Sequence, residues 1–224
     1  MKRRTLDTIF AGGGIVVAIL LVVLAYAVFA QATFATDYVK QELSAQKITF
    51  APVANLTDSE KSWKAGSTCL VTYAGQAMQT GAQAECYAKY YIREHMTAAA
   101  EGAGFPGATY ATLGTTRSEF SAQIAAAKTK GDTATVDSTQ KKLDAATGLR
   151  TTMQTGETLS GLLLTTFGFS VIGSIAQMAA NVLYLLAGVM VLLSVAGLVH
   201  AYVTPKEKVV FGPAVVRPRI PVQA

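Results

Sequence analysis

The residues able to do chemistry in this 224-residue chain are few and far apart. Cysteine occurs only at Cys69 and Cys86, and histidine only at His95 and His200. There is no CxxC spacing and no His cluster, so a structural disulfide is expected ahead of a redox pair or a metal site. It would close a loop of about 18 residues and stabilise by about 3 kcal/mol on the chain-entropy account. Tyr87, Tyr91 and His95 recur at i, i+4 and i+8, on one face of a predicted helix. That face can serve as an aromatic ligand groove with a histidine at its end, although such stripes are more often core.

A histidine-based or metal-dependent enzyme needs several ligands, or a base with an orienting partner. Two distant histidines supply neither. The chain has no GxSxG and no phosphate-binding glycine loop. Glu85, Glu94 and Glu101, with Lys89 and Arg93 among them, read as helix-surface charge. The expectation is a protein without catalytic residues, metal or cofactor.

The elements that hold these residues are set by hydropathy and charge. Hydrophobic residues make up 51% and charged residues 15%, a balance that favours a membrane protein. Ile9 to Ala30 is uncharged behind Lys2, Arg3 and Arg4. Its apolar core exceeds the roughly 7–15 residues of a signal peptide, so a retained anchor is expected over a cleaved one. Gly161 to Val203 also lacks any Asp, Glu, Lys or Arg. That is too long for one plain span of about 20 residues and barely enough for a hairpin of two.

Charge placement chooses between them. The net charge of +5 lies wholly at the two ends, in residues 1–8 and in the tail 204–224 with Lys206, Lys208, Arg217 and Arg219. This is a positive-inside pattern, not a nucleic-acid footprint, and it puts both termini on the cytoplasmic side. The segments expected are 1–8 cytoplasmic, 9–31 first span, 32–158 extracytoplasmic helical domain, 159–181 apolar extension, 182–203 second span and 204–224 cytoplasmic tail. The fold class is all-α: two transmembrane helices flanking an extracytoplasmic helical bundle with one disulfide, in the plasma membrane.

Within the external region, 36–47 continues the first helix and 48–66, with Trp63, reads as a loop. Thr80 to Glu101 reads as one helix, followed by a Gly-rich connection from Gly102 to Gly114. Thr116-Arg117-Ser118-Glu119 matches a capping box that opens another helix, ending at Gly131. A further helix starts at Asp132 or Thr133 and runs into the apolar stretch. Two features of that stretch suggest a partner. Leu162, Leu163, Phe167, Phe169 and Ile172 are too apolar to face water beyond the bilayer core. Gly173, Ala180, Ala187, Ser194 and Ala201 recur every seven residues, a small-residue seam for close helix packing.

Several short motifs are familiar: MKRRTLD before a Gly-rich span, Tyr73-Ala74-Gly75-Gln76, Gly81-Ala82-Gln83-Ala84, His95-Met96, the run from Gly156 to Leu164 and Gly197-Leu198-Val199-His200. With these the chain resembles a family of actinobacterial two-span membrane proteins often labelled aromatic ring-opening dioxygenases. It departs from the family's usual pattern in having Ser160 in place of Arg and in carrying the two cysteines. The dioxygenase label conflicts with the residues. Such enzymes hold iron with two histidines and a carboxylate, and the expected topology puts His95 and His200 on opposite sides of the membrane. The 21-residue tail, with four prolines, cannot fold an output domain. The reading is a non-enzymatic accessory or assembly subunit that binds another membrane protein, for instance in an envelope or respiratory complex. The alternative is an anchored extracytoplasmic ligand-binding or sensing module.

Overall fold

A computed structural model describes residues 3–62 and 68–205. Trp63 and the basic tail from Lys206 onward lie outside the described residues. The described chain is all-helical. Its longest elements are α1 (Arg3–Ala45) and α7 (Thr133–Val203), both long and apolar enough to cross a membrane. Helix α7 runs without interruption through the whole uncharged stretch, so no turn divides Gly161 from Val203. The chain forms two compact units, Met1–Thr33 with Ser174–Ala224, and Phe34–Gly173.

In the first unit, α1 and α7 run antiparallel. A Cβ built on Gly14 would run into the Ser194 hydroxyl, and one on Gly197 would meet the Ala11 methyl at 3.3 Å. At the same end the His200 Nε2 lies 3.8 Å from Asp7 Oδ2. The buried residues are small: Ala11, Ala18, Ala25 and Ala32 on α1, and Ala180, Ala187, Ser194 and Ala201 on α7. Both rows repeat every seven residues, the period that keeps one helix face on its neighbour. Large side chains such as Phe10, Leu20, Leu185 and Leu192 point outward. Small groups inside and large apolar groups outside invert the arrangement of a water-soluble helix pair.

The second unit is built around an apolar core drawn from both long helices and from Leu70, Ala84, Ala88, Met96 and Leu113 between them. Val39 and Leu43 of α1 meet Phe50, Leu56 and Met78 from the connecting segments. Lys47 turns the chain out of α1 in the left-handed region at φ 53°. The following residues pair with 75–78 through Phe50 N–H to Gln76 O (2.9 Å) and Met78 N–H to Ile48 O (2.9 Å). The stretch expected to be a loop therefore carries order: this pairing, a 3-10 turn at Val53–Asn55 and the short helix α2 (Asp58–Lys61). Next come α3 (Cys69–Thr72) and α4 (Gly81–Cys86), joined by the Cys69–Cys86 disulfide with Cα atoms 6.1 Å apart. After α4, a π-helical segment (Tyr87–Ile92) leads into α5 (Arg93–Gly102). The predicted 80–101 helix is thus continuous but changes winding midway.

Helix α6 (Tyr110–Lys130) begins earlier than predicted. Its capping box is Thr109 with Thr112, not Thr116 with Glu119. The cause is tertiary. The Arg150 guanidinium of α7 sits 3.8 Å above the Tyr110 ring and donates from Nε to the Tyr110 carbonyl at 3.2 Å. This clamp holds the first turn and outweighs the helix-weakening glycine at 114. The other end follows the sequence: Gly131 caps α6 at φ 70°, and Asp132 accepts from the Thr135 N–H at the start of α7.

Candidate functional site

The stripe of Tyr87, Tyr91 and His95 is assembled by the change of winding after α4. Thr80 and Gln83 form a reciprocal capping box that starts α4, and the next six residues widen into π turns. A turn wider than 3.6 residues brings i and i+4 side chains nearer to eclipse. The rings accordingly stack in series, with centroids 4.5 Å apart for Tyr87–Tyr91 and 4.2 Å for Tyr91–His95. Phe50 meets Tyr87 edge-on at 5.5 Å. Burial, reinforced by the Tyr91 phenol beside it, pushes the Tyr87 hydroxyl up to about 12.

The far end of the stack meets a residue that the sequence reading left inside a loop. Glu60 is only 2% exposed. Its Oε2 accepts from the Thr57 N–H at 2.7 Å and from the Thr57 hydroxyl at 2.9 Å, completing the cap of α2. Its Oε1 is buried without a hydrogen bond and lies 3.6 Å from His95 Nδ1. That nitrogen is also 2.9 Å from the Tyr91 carbonyl, which can only accept, so Nδ1 carries the proton and Nε2 is left for solvent or a ligand. The signal for Glu60 was legible: Thr57-Asp58-Ser59-Glu60 is a capping-box sequence.

Beside the stack is a cleft of about 450 Å³, walled by Tyr87, Tyr91 and His95 on one side and by Thr151, Thr155 and Gly156 of α7 on the other. The Thr151 and Thr155 hydroxyls donate to the carbonyls of Thr147 and Thr151, so that wall offers little polarity to a ligand. Among the described residues, no three or more His, Cys, Asp or Glu side chains are grouped to hold a metal ion. Comparison with protein families, with curated proteins and with solved structures found no match.

The apolar segment of α7 divides by face. Leu163 is buried in the core and Phe167 is half-buried. Leu162, Phe169 and Ile172 are 63%, 59% and 63% exposed. Of the predicted seam, Gly173 is buried in the second unit, while Ala180, Ala187, Ser194 and Ala201 are buried in the first. Their counterparts on α1 were missed in the sequence. The signal was the same seven-residue period, carried by Ala11, Ala18, Ala25 and Ala32.

Proposed function

We propose that this is a two-span protein of the plasma membrane, with both termini cytoplasmic and the unit Phe34–Gly173 outside. In this reading it acts without catalysis, as an accessory or assembly subunit that docks on another integral membrane protein. The observation that carries the reading is the exposed apolar row of α7. Leu162, Phe169 and Ile172 stay uncovered although the same helix buries Leu163 in a core. Surface of that kind is stable only when something apolar covers it. The first unit supports the membrane part: its interior is small-residue packing, its exterior is large and apolar, and its ionisable Arg3, Arg4, Asp7 and His200 gather at one end.

Purification in mild detergent with quantitative mass spectrometry tests this. A stoichiometric membrane partner that is lost from an Ile172→Glu variant supports docking through the row. Recovery of the chain alone, with or without the substitution, overturns it.

A second reading is favoured by the cleft of about 450 Å³ beside Tyr87, Tyr91 and His95, a volume within the range of small-molecule sites (roughly 300–1,000 Å³). There the protein is an anchored extracytoplasmic ligand-binding module. A bound small molecule, released by His95→Ala, is the result that separates this reading from the first.

A further inference from the structure

A second depression in the unit Phe34–Gly173, of about 480 Å³, lies between the outer part of α1 and the segment of α7 from Leu159 to Phe169. It is long and narrow. Its lining extends from Phe34 to Leu43 on α1, about 14 Å of helix at 1.5 Å per residue, with Gln46 and Ile48 just past its end, and over about 15 Å on α7. Tyr38, Leu43, Leu162 and Phe169 give it apolar walls. Thr165 and Thr166 also line it, but their hydroxyls donate to the Gly161 and Leu162 carbonyls and ask nothing of an occupant. The polar groups left to an occupant are Glu42, Gln46 and the Tyr38 hydroxyl, in an otherwise apolar lining. A slot of this shape and chemistry suits an extended alkyl chain better than a compact polar ligand or a peptide backbone.

We infer that this slot holds one acyl chain of a bilayer phospholipid. Its source is argued from position along the helices. The slot begins at Phe34, just past the expected first span 9–31, and at its α7 wall Leu162 and Phe169 are apolar and 63% and 59% exposed, with Ile172 63% exposed one turn further on. An acyl chain at that level of the helices meets apolar side chains from both walls. The inference rests on the membrane reading above. It also deepens it, because Leu162 and Phe169 belong to both the slot and the exposed row, so the bound chain forms part of the docking surface.

The test uses the full chain in vesicles of phosphatidylglycerol and phosphatidylcholine doped with a phospholipid that carries a diazirine near the end of one acyl chain. After irradiation, labelled peptides are mapped by mass spectrometry. Labelling is expected in both spans and in peptides covering 34–48 and 159–169. The slot-filling variants Ala35→Trp and Thr166→Trp are each expected to lose the slot labels and keep the span labels. Labelled spans with unlabelled slot peptides overturn the inference and leave the membrane reading standing. Slot labels that persist unchanged in both variants overturn it too, as lipid merely brushing the surface. Slot labelling by a free diazirine fatty acid but not by the phospholipid overturns the bilayer source. No labelling anywhere overturns the membrane reading and this inference together.

Discussion

His95 Nδ1 stands 3.6 Å from the buried Oε1 of Glu60, joining an aromatic stack on one side to the cap of a four-residue helix on the other. The two residues differ in what they risk. The Glu60 side chain is 2% exposed and that of His95 is 55% exposed. Removing the carboxylate orphans the Thr57 N–H, whereas removing the imidazole uncovers one oxygen that accepts no hydrogen bond. Glu60→Ala is therefore expected to cost about 1–2 kcal/mol, the scale of a lost helix cap, and His95→Ala less. Thermal unfolding in detergent gives both values, and the reverse order would refute the assignment.

The Cys69–Cys86 bridge ties α3 to the end of α4, directly before the π turns that carry Tyr87 and Tyr91. Reduction, or the double variant Cys69→Ala with Cys86→Ala, is expected to destabilise the unit by about 3 kcal/mol. Non-reducing mass spectrometry should find no free thiol in the untreated protein. Two free thiols would remove this stabilisation and the inference of an oxidising compartment with it.

Gly81 is required by packing. A Cβ there would run into the Ser170 side chain and sit 3.3 Å from the Phe167 Cα, which is backbone and cannot step aside cheaply. Gly81→Ala is expected to cost about 1–3 kcal/mol through overpacking. Gly102→Ala, which would meet nothing within 4 Å, serves as the matched control. Equal melting temperatures for the two variants would contradict the close approach of α4 and α7.

Ala187 is 2% exposed in the small-residue seam, while its neighbour Leu186 is 47% exposed. Ala187→Leu forces the paired helices apart and is expected to lower stability in detergent by about 1–3 kcal/mol. Leu186→Ala, on the outward face, should stay within roughly 0.5 kcal/mol of the parent. Wild-type behaviour of Ala187→Leu would remove the seam.

Tyr87 titrates near 12, against 10.0 for an unperturbed phenol, because burial disfavours its charged form. Between those values the native state keeps a proton that the unfolded state has lost. Its contribution to stability is full below about pH 10 and falls as pH rises toward 12. Tyr87→Phe carries no such proton, so its melting temperature is expected to fall less steeply over that window. Parallel slopes for parent and variant would place the phenol in solvent.

Much of this architecture was written locally. The uncharged runs of α1 and α7 demand two long apolar helices, because only a helix satisfies its own backbone in an apolar setting. The stop at Gly131 and the restart at Thr133 follow from one residue suited to the left-handed region and one able to cap. The seven-residue period of Ala180, Ala187 and Ser194 is visible in the sequence, and the structure buries all three.

Other features needed the third dimension, because their causes lie far apart in the chain. Residue 150 fixes where α6 begins by clamping Tyr110 across 40 positions, an influence no local window contains. Glu60 becomes a buried partner of His95 only when two segments 35 residues apart are brought together. Composition makes 159–172 uncharged and largely apolar, and it cannot say that Leu163 turns into a core while Leu162, Phe169 and Ile172 turn away from it. That choice of face depends on which helices stand beside α7, so it belongs to tertiary structure alone.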